Sequence, residues 1–452
     1  MYDDKIEEIK KTLRELALIM LNLKRGANLE EYEFINFQTN LAECLYNAMS
    51  VYREISQKER EYIEMKESLD KEDFLEKMQK WKNQKLEIKE VISIGKSIGD
   101  SFAYIFYRDS IEELEKHYKH PDNGLFVSGI GGRGEIEFIK ENPTIDGYLV
   151  VYHSITNMLR IGDFSVCSLD GKVIGTGEIK SEYINDKRVL ASSVYMSSKV
   201  KLKIDAEERE EIYGNSTKEK IQKQLKNQDD LLISDSCDIM KDKRKMNEQH
   251  FLIDAACNNE KGIAYNEEIN TLIVAIKEEE YYASENFDDI LGEKIDNIVK
   301  KMIKDSPYNN IRMEQIGKEY KPYRQPIIWW NISDDIILDI LFDKRAIFSV
   351  VNFATYYERL TEMGFQIEFK ENEIVVGKKC GEYIAKLEGF EMIEDLITHE
   401  LYTQEDIAEM VSYIVENSHN QSDGDAIVRV SIKTPLYNFL TQTSHIDFSY
   451  AP

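Results

Sequence analysis

The dipeptide Asp170-Gly171 lies between two stretches whose composition and apolar pattern are typical of β-strands, Leu159–Leu169 and Lys172–Lys180. Asp-Gly is a strong signal for a two-residue hairpin turn, because both central residues of that turn take positive φ angles. The sequence therefore predicts a β-hairpin over residues 159–180. The turn also predicts which residues face each other across the two strands.

The predicted register brings two acidic residues together. A two-residue turn pairs Leu169 with Lys172, and counting back from that pair sets Asp163 opposite Glu178. Opposed carboxylates repel each other unless a cation lies between them. A divalent metal supplies that charge, and hard oxygen ligands suit Mg²⁺ or Mn²⁺. Lys180 shares a strand face with Glu178, so it is expected to orient the attacking water or to hold a phosphate.

The Glu-x-Lys pattern alone is uninformative, because it occurs at 8–10, 64–66, 87–89, 178–180, 319–321 and 368–370. In the helices expected for the first three, residues i and i+2 point about 200° apart and cannot share one site. Only 178–180 and 368–370 are expected on strands, and the latter has no acid on a preceding paired strand. The competing interpretation of 178–180 is an exposed hairpin with a Glu–Lys salt bridge. Against it, an unscreened acid pair across two strands is unfavourable.

The pattern Ile161-Gly162-Asp163 … Gly177-Glu178-Ile179-Lys180 resembles the core of the restriction-endonuclease-like, or PD-(D/E)xK, nuclease superfamily, over roughly residues 120–235. The resemblance implies that Asp163 and Glu178 bind metal and that Lys180 assists catalysis. It also implies a metal-supporting Glu on the preceding helix, for which Glu135 is the best match and Glu137 a weaker one. Gly-Asp replaces the family's Pro-Asp in this chain.

Two further stretches resemble uncharacterised bacterial proteins that are often associated with phage defence. They are Gly-Asp-Ser at 99–101 and the residues 156–163 that lead to the candidate Asp.

The expected fold class is a multidomain α+β or α/β protein. Residues 1–120 are predicted to be a helical, bundle-like or coiled-coil-like region, since apolar residues recur at helical spacing and the first proline is Pro121. Residues 121–260 are predicted to form the nuclease-like domain, a mixed sheet flanked by helices. Residues 261–452 are predicted to be an α+β domain that senses a trigger or binds a partner.

Individual elements are also predicted. Residues 54–91 are expected to form a long solvated helix or a helical hairpin. Further helices are expected over 92–118, 205–232, 345–363 and 390–417, and strands over 148–152, 271–276, 365–370, 373–377 and 426–432.

Composition limits the classes of function. The hydrophobic content of 42% is typical of globular domains, whereas a net charge of −26 disfavours a protein that binds nucleic acid over its whole surface. The five cysteines are scattered without a CxxC pair, which favours reduced thiols in a cytoplasm over a zinc ribbon. We expect no secretory signal and no membrane association.

The expected activity is metal-dependent hydrolysis of phosphodiester bonds, with DNA preferred over RNA as substrate and a role in bacterial anti-phage defence. Homo-oligomerisation through the N-terminal helices and a protein partner are further expectations. The alternative is a non-catalytic interaction or sensor protein that keeps a nuclease-like fold, which the charge and the long helices favour.

Other motifs favour structural roles. Gly129-x-Gly131-x-x-Gly134 fits a dinucleotide fingerprint, but the next strand lacks the acidic residue that binds a ribose. His117-x-x-His120 is interpreted as a solvated helix end rather than a metal site. The pairs Trp329-Trp330 and Tyr356-Tyr357 are predicted to be buried. The cluster Lys241–Lys245 is a candidate for phosphate contacts or a solvated loop.

Overall fold

The computed structural model describes residues 2–25, 31–107, 111–120, 126, 129–145, 147–168, 173–184, 187–196, 249–283, 287–317, 321, 324–370, 373–380, 383–387, 390–420 and 446–450. The Asp170-Gly171 turn, the helix predicted over 205–232, the cluster Lys241–Lys245 and the strand predicted over 426–432 lie outside these residues. The chain divides into two compact units, one of Met1–Asp235 with Tyr320–Pro322 and one of Ser236–Glu319 with Tyr323–Pro452.

The first unit combines helices with one sheet. The described helices are α1 (Tyr2–Lys24), α2 (Glu31–Glu64), α3 (Lys71–Tyr107), α4 (Ile111–Lys119) and α5 (Ile130–Glu141). The described strands are β1 (Thr144–Ile145), β2 (Tyr148–Tyr152), β3 (Phe164–Cys167), β4 (Val173–Ile184) and β5 (Lys187–Met196).

Helix α1 buries one stripe of its surface. Ile6, Ile9, Leu13, Leu16 and Met20 recur at alternating steps of three and four residues, and all five are buried against α2 and α3. This confirms the predicted helical character of the N-terminal region.

Helices α2 and α3 form the hairpin that was predicted, with different bounds. Asp70 starts α3, because its Oδ1 accepts the main-chain N–H groups of Glu72 (2.8 Å) and Asp73 (3.3 Å). Helix α3 then runs unbroken to Tyr107, so the boundary predicted between residues 91 and 92 is wrong, and residues 54–118 belong to the end of α2, to α3 and to α4. At Gly95 a Cβ atom would lie 2.6 Å from Leu45 Cδ2, so glycine allows close packing of α2 on α3.

The sheet of the first unit has the order β1-β2-β3-β4-β5, and all its described pairings are antiparallel. The expected mixed sheet is therefore corrected to an antiparallel one over the described residues. Consecutive strands are joined by short connections or by one loop. Such connections favour antiparallel pairing, because parallel pairing requires a longer crossover. Gln38 of α2 extends the ladder at β2: its Nε2 donates to Val150 O (2.7 Å), and its Oε1 accepts from Tyr152 N (3.1 Å).

The predicted strand over 148–152 is confirmed, whereas the strand predicted over 159–169 is much shorter. Asp163 lies in a bend immediately before β3, and residues 153–163 form a loop. This loop is held by side-chain hydrogen bonds, which a pattern of apolar residues does not reveal.

The second unit contains two antiparallel sheets in the described residues. One has the order β6-β7-β9-β8 and the other β10-β11-β12-β13. The described elements are β6 (Ile263–Asn266), β7 (Thr271–Lys277), β8 (Ile311–Ile316), β9 (Arg345–Asn352), β10 (Phe365–Lys370), β11 (Glu373–Cys380), β12 (Tyr383–Leu387), β13 (Ile446–Tyr450), α6 (Phe251–Asn258), α7 (Glu278–Ala283), α8 (Phe287–Met302), α9 (Asp334–Leu341), α10 (Ala354–Glu362), α11 (Phe390–Thr398) and α12 (Gln404–Asn420).

Two helix predictions in the second unit are corrected. Residues 345–363 are strand β9 followed by α10. The strand is buried from Ile347 to Asn352 and contains the β-branched residues Ile347, Val350 and Val351. Asn352 Oδ1 accepts the N–H of Ala354 where the helix begins. The helix predicted over 390–417 is two helices, interrupted where Leu401 takes a φ of 56°. The strand at 271–276 and the hairpin at 365–377 are confirmed.

The adjacent aromatic pairs lie in the core as predicted except for Trp329, which is half-buried. Trp330, Tyr356 and Tyr357 are fully buried. The indole N–H of Trp330 donates to Gln325 O at 3.0 Å, and its ring stacks on His250 with centroids 4.7 Å apart.

Candidate active site

Asp163 is attached to the strand that carries Glu178 and Lys180. Its Oδ2 accepts a hydrogen bond of 2.5 Å from the main-chain N–H of Ile179, and its own N–H donates to Gly177 O at 2.8 Å. Because the Asp163 carboxylate takes the place of a main-chain acceptor, the chain can turn away from β4 before β3 begins, and the N–H of Ile179 still has a hydrogen-bond partner. The predicted proximity of Asp163 to the Glu-x-Lys segment is thus present, through a bend rather than through a strand pair.

The register of β3 on β4 agrees with the prediction at the end next to Asp163 and is shifted by one residue towards the turn, where Cys167 pairs with Val173. Phe164 pairs with Gly177 and Ser165 with Thr176, before an irregularity at Val166 and Cys167. A Cβ atom on residue 177 would overlap the ring of Phe164, so Gly177 lets that ring lie directly on the strand. This explains physically why a glycine precedes Glu178.

Glu178 is a buried carboxylate. It is only 5% exposed, although it lies on β4 between two strands. Its Cα partner on β5 is Ser193, and the Cα partner of Lys180 is Ala191. Burial of a charged group is costly unless polar partners or a cation compensate it. Its burial next to the bend of Asp163 makes Glu178 the second acid of the candidate site.

Glu135 is fixed by hydroxyl groups of the segment that follows β2. Its Oε2 accepts hydrogen bonds from Tyr152 Oη (2.7 Å) and from Ser154 Oγ (3.2 Å). Burial raises the pKa of Tyr152 well above its ordinary value, and the negative charges of Glu135 and Asp163 raise it further. The tyrosine therefore stays protonated as a donor, in the electric field of both carboxylates.

Glu135 and Glu178 belong to opposite faces of the sheet. Tyr152 and Phe164 share the face on which α5 packs, with the rings of Phe138 and Phe164 5.3 Å apart. Alternation along β4 gives Glu178 the face of Thr176 and Ser165, and Ser165 contacts Tyr107 of α3. Asp163 lies in the bend before β3, with its carboxylate on the main-chain N–H of Ile179.

The three expected metal ligands consequently do not form one group. Across the part of the chain that the structure describes, there is no cluster of three or more His, Cys, Asp or Glu side chains that could hold a metal ion. The structure joins Asp163 to the backbone of Ile179 and Glu135 to Tyr152. It describes the backbone of Lys180 without its side chain.

Two histidines brace the loop 153–163. His117 is buried, and its Nδ1 accepts the main-chain N–H groups of Arg160 (2.9 Å) and Ile161 (3.0 Å). The interpretation of His117 as part of a solvated helix end is therefore wrong. Burial lowers the pKa of His117 well below its ordinary value, so the ring is neutral and holds the loop as an acceptor.

His153 continues this bracing. Its Nδ1 lies 3.1 Å from Gly162 O and so must donate, which leaves Nε2 to accept from Ser165 Oγ at 2.5 Å. Burial lowers the pKa of His153 to about 4. With this low pKa the ring is a weak base that stays neutral at neutral pH, and its two hydrogen bonds hold the loop in place.

Tyr152, His153 and Ser154 are not among the site residues that the sequence predicts. The one signal that points to them is their place at the end of a buried strand, where polar side chains are held in a fixed position beside the candidate acid Glu135.

Comparisons with family models, with curated proteins and with solved structures give no match to this chain. Among the described helices, none combines the length and the apolar character needed to span a membrane.

Proposed function

We propose that this chain is a nuclease of the PD-(D/E)xK kind, with Asp163, Glu178 and Lys180 as its catalytic residues. The observation that supports this is the hydrogen bond from Ile179 N–H to the Asp163 carboxylate. Ile179 is the central residue of Glu178-Ile179-Lys180. Asp163 is therefore hydrogen-bonded to the middle of the Glu178–Lys180 segment. Of the two Glu-x-Lys patterns expected on strands, this is the one for which an acidic residue is expected on the preceding strand.

The carboxylate oxygens of Asp163, Glu178 and Glu135 are the donor type that Mg²⁺ or Mn²⁺ prefers. Their arrangement does not fit a ready three-carboxylate centre, because Glu135 and Glu178 occupy opposite sheet faces. A bound divalent ion would neutralise the phosphate charge in such a reaction. In this proposal Asp163 and Glu178 are the carboxylates beside the reacting phosphate and Lys180 contacts that phosphate. Glu135 orients Tyr152.

We further propose DNA rather than RNA as the substrate and phage defence as the setting. Oligomerisation through the N-terminal helices and a protein partner of residues 261–452 belong to the same proposal. The described cysteines Cys44, Cys167 and Cys257 are free thiols, which suits a reducing cytoplasm.

The decisive experiment compares matched substitutions on two Glu-x-Lys strands. Plasmid, linear duplex, single-stranded DNA and RNA are incubated with the purified chain and with Mg²⁺, Mn²⁺ or EDTA. Glu178→Ala and Lys180→Ala should abolish metal-dependent cleavage. Glu368→Ala and Lys370→Ala on β10 carry the same residue types at the same spacing and should cleave as the parent does. Equal activity of both pairs would overturn this site.

A second candidate function is a non-catalytic interaction protein with a nuclease-like fold. It is favoured by the observation that hydroxyl and N–H groups of the protein already bond oxygens of Glu135 and Asp163. Calorimetric titration with Mn²⁺ separates the two functions. The nuclease predicts binding that Asp163→Asn weakens, and the interaction protein predicts no such binding in the parent chain.

A further inference from the structure

Helix α3 holds the loop 153–163 through one buried carboxylate, that of Asp100. Its Oδ1 accepts the main-chain N–H groups of Asn157 (2.7 Å) and Met158 (2.9 Å), and its Oδ2 accepts from Asn157 Nδ2 at 2.9 Å. Asp100 is only 2% exposed. Hydrogen bonds to an ionised acceptor are stronger than neutral ones, so these three fix the middle of the loop to the helix.

The residue before Asp100 makes this approach possible. A Cβ atom on Gly99 would overlap the carbonyl oxygen of Ile155, so helix and loop backbones touch at this point. The two stretches singled out in the sequence, 99–101 and 156–163, are therefore the two sides of one contact.

The loop is closed between this contact and Asp163. Thr156 Oγ1 donates to His153 O (2.8 Å) and accepts from Leu159 N (3.0 Å). His153 N in turn donates to Asp163 O at 2.9 Å. The loop thus begins and ends at the His153–Asp163 hydrogen bond, and Asp100 attaches its middle to α3, while His117 attaches Arg160 and Ile161 to α4.

We propose that Asp100 is a positioning residue: it holds the loop so that the Asp163 carboxylate stays on Ile179 N–H. The consequence for catalysis rests on the proposed nuclease function, whereas the positioning itself does not. Asp100 acts through hydrogen bonds from the N–H groups of Asn157 and Met158, and its negative charge strengthens them.

Two substitutions separate hydrogen bonding from charge. Asp100→Asn keeps an oxygen for the two main-chain N–H groups, and the amide of Asn157 can turn to offer its oxygen to the new NH₂. Asp100→Ala removes all three bonds. A positioning role therefore predicts that Asn preserves most of the function that Ala destroys. Ser97→Ala is the matched control, since Ser97 Oγ bonds only Ser93 O, one turn earlier on the same helix.

The measurement is amide hydrogen exchange, with the amide of Ile179 as the diagnostic site. Ile179 bonds Asp163 and not Asp100, so its exchange reports the position of Asp163. We expect Asp100→Ala to speed that exchange about tenfold or more, with Asp100→Asn and Ser97→Ala near the parent and the amides of α1 unchanged in all three. Unchanged exchange at Ile179 in Asp100→Ala, or equal acceleration across α1, would overturn the proposal.

Cleavage kinetics give the second measurement. Asp100→Ala should lower kcat about 100-fold with KM little changed, because a displacement of about 1 Å suffices for such a loss. Should the parent chain not cleave any nucleic acid, the proposed function fails while Ile179 exchange still decides the positioning. Should Asp100→Ala not fold, Asn157→Ala removes one bond only and must raise Ile179 exchange in the same direction; no rise refutes the role.

Discussion

The carboxylate of Asp163 accepts the main-chain N–H of Ile179 at 2.5 Å, so an acid outside β3 completes the hydrogen bonding of β4. The same N–H lies between Glu178 and Lys180 in sequence. The Asp163 carboxylate therefore has two roles: it accepts a structural hydrogen bond, and it lies on the candidate catalytic segment. Substitutions that keep the acceptor but remove the charge can separate the two roles.

Asp163→Asn is expected to abolish cleavage while it keeps the acceptor for Ile179. Its free energy of unfolding should stay within about 1 kcal/mol of the parent, whereas Asp163→Ala should lose about 1–3 kcal/mol because a buried N–H loses its partner. Urea unfolding measures stability, and plasmid cleavage measures activity. Full cleavage by Asp163→Asn would exclude a catalytic carboxylate at this position.

Gly177→Ala is expected to destabilise the sheet by about 1–3 kcal/mol, because the new Cβ would overlap the Phe164 ring. Phe164→Leu in the same chain should recover part of that loss by giving the methyl group room. A double-mutant cycle of thermal or urea unfolding measures the coupling. Gly175→Ala, two residues away on the same strand, is the comparison. Additive effects of Gly177 and Phe164 would contradict the packing described here.

Much of the sheet could be predicted because its signals are local. The run Tyr148–Tyr152 is continuous and apolar, and the Asp-Gly turn predicts the pairing of Phe164 with Gly177 that the structure has. Asp163 was assigned to a strand because Leu159 to Leu169 contains enough apolar residues to suit one. Its actual bend depends on hydrogen bonds within the loop to His153 and on hydrogen bonds from the loop to His117 and Asp100, which are distant in sequence.

The same reasoning explains why Glu135 was identified but its surroundings were not. Its helix follows from the periodicity of Ile136 and Ile139, whereas its contact with Tyr152 requires α5 to pack on one particular face of the sheet. A linear sequence gives alternation along each strand, but it does not say which face a distant helix covers. The separation of Glu135 from Glu178 could therefore not be foreseen.

Asp395→Ala is expected to destabilise the second unit by about 3–5 kcal/mol. Arg324 donates through Nε to Asp395 Oδ2 at 2.7 Å and through Nη2 to its Oδ1, and both residues are buried. Removing the acid leaves the buried positive charge of Arg324 with one acidic partner fewer, although Glu314 still accepts a hydrogen bond from it at 2.9 Å. Urea unfolding followed by the fluorescence of buried Trp330 measures the loss.

The control for this pair is exposed. Arg359 bonds Glu409 at 3.0 Å with both side chains 40% exposed, so Glu409→Gln should change the free energy of unfolding by less than about 1 kcal/mol. Comparable losses at Asp395 and Glu409 would show that burial of the Arg324 pair contributes nothing.

Glu400 is expected to make the second unit less stable as pH rises. Burial raises the pKa of this carboxyl from 4.5 to about 8, against the opposing effects of Gln325 N–H and Arg324. Between those two values the folded state holds a proton that the unfolded state has released, so folding is favoured at the acid end. The contribution of protonated Glu400 to the free energy of unfolding is therefore fully present below pH 4.5. It is lost as pH rises through about 8, at up to about 1.4 kcal/mol per pH unit.

Glu400→Gln tests this, because glutamine imitates the protonated acid and cannot ionise. Its free energy of unfolding should approach that of the parent near pH 5 and exceed it increasingly up to about pH 8, in urea titrations at each pH. Glu405→Gln on the neighbouring helix α12, whose side chain is less buried, corrects for general loss of negative charge. A constant difference between Glu400→Gln and the parent across pH 5–8 would mean that Glu400 is ionised throughout that range.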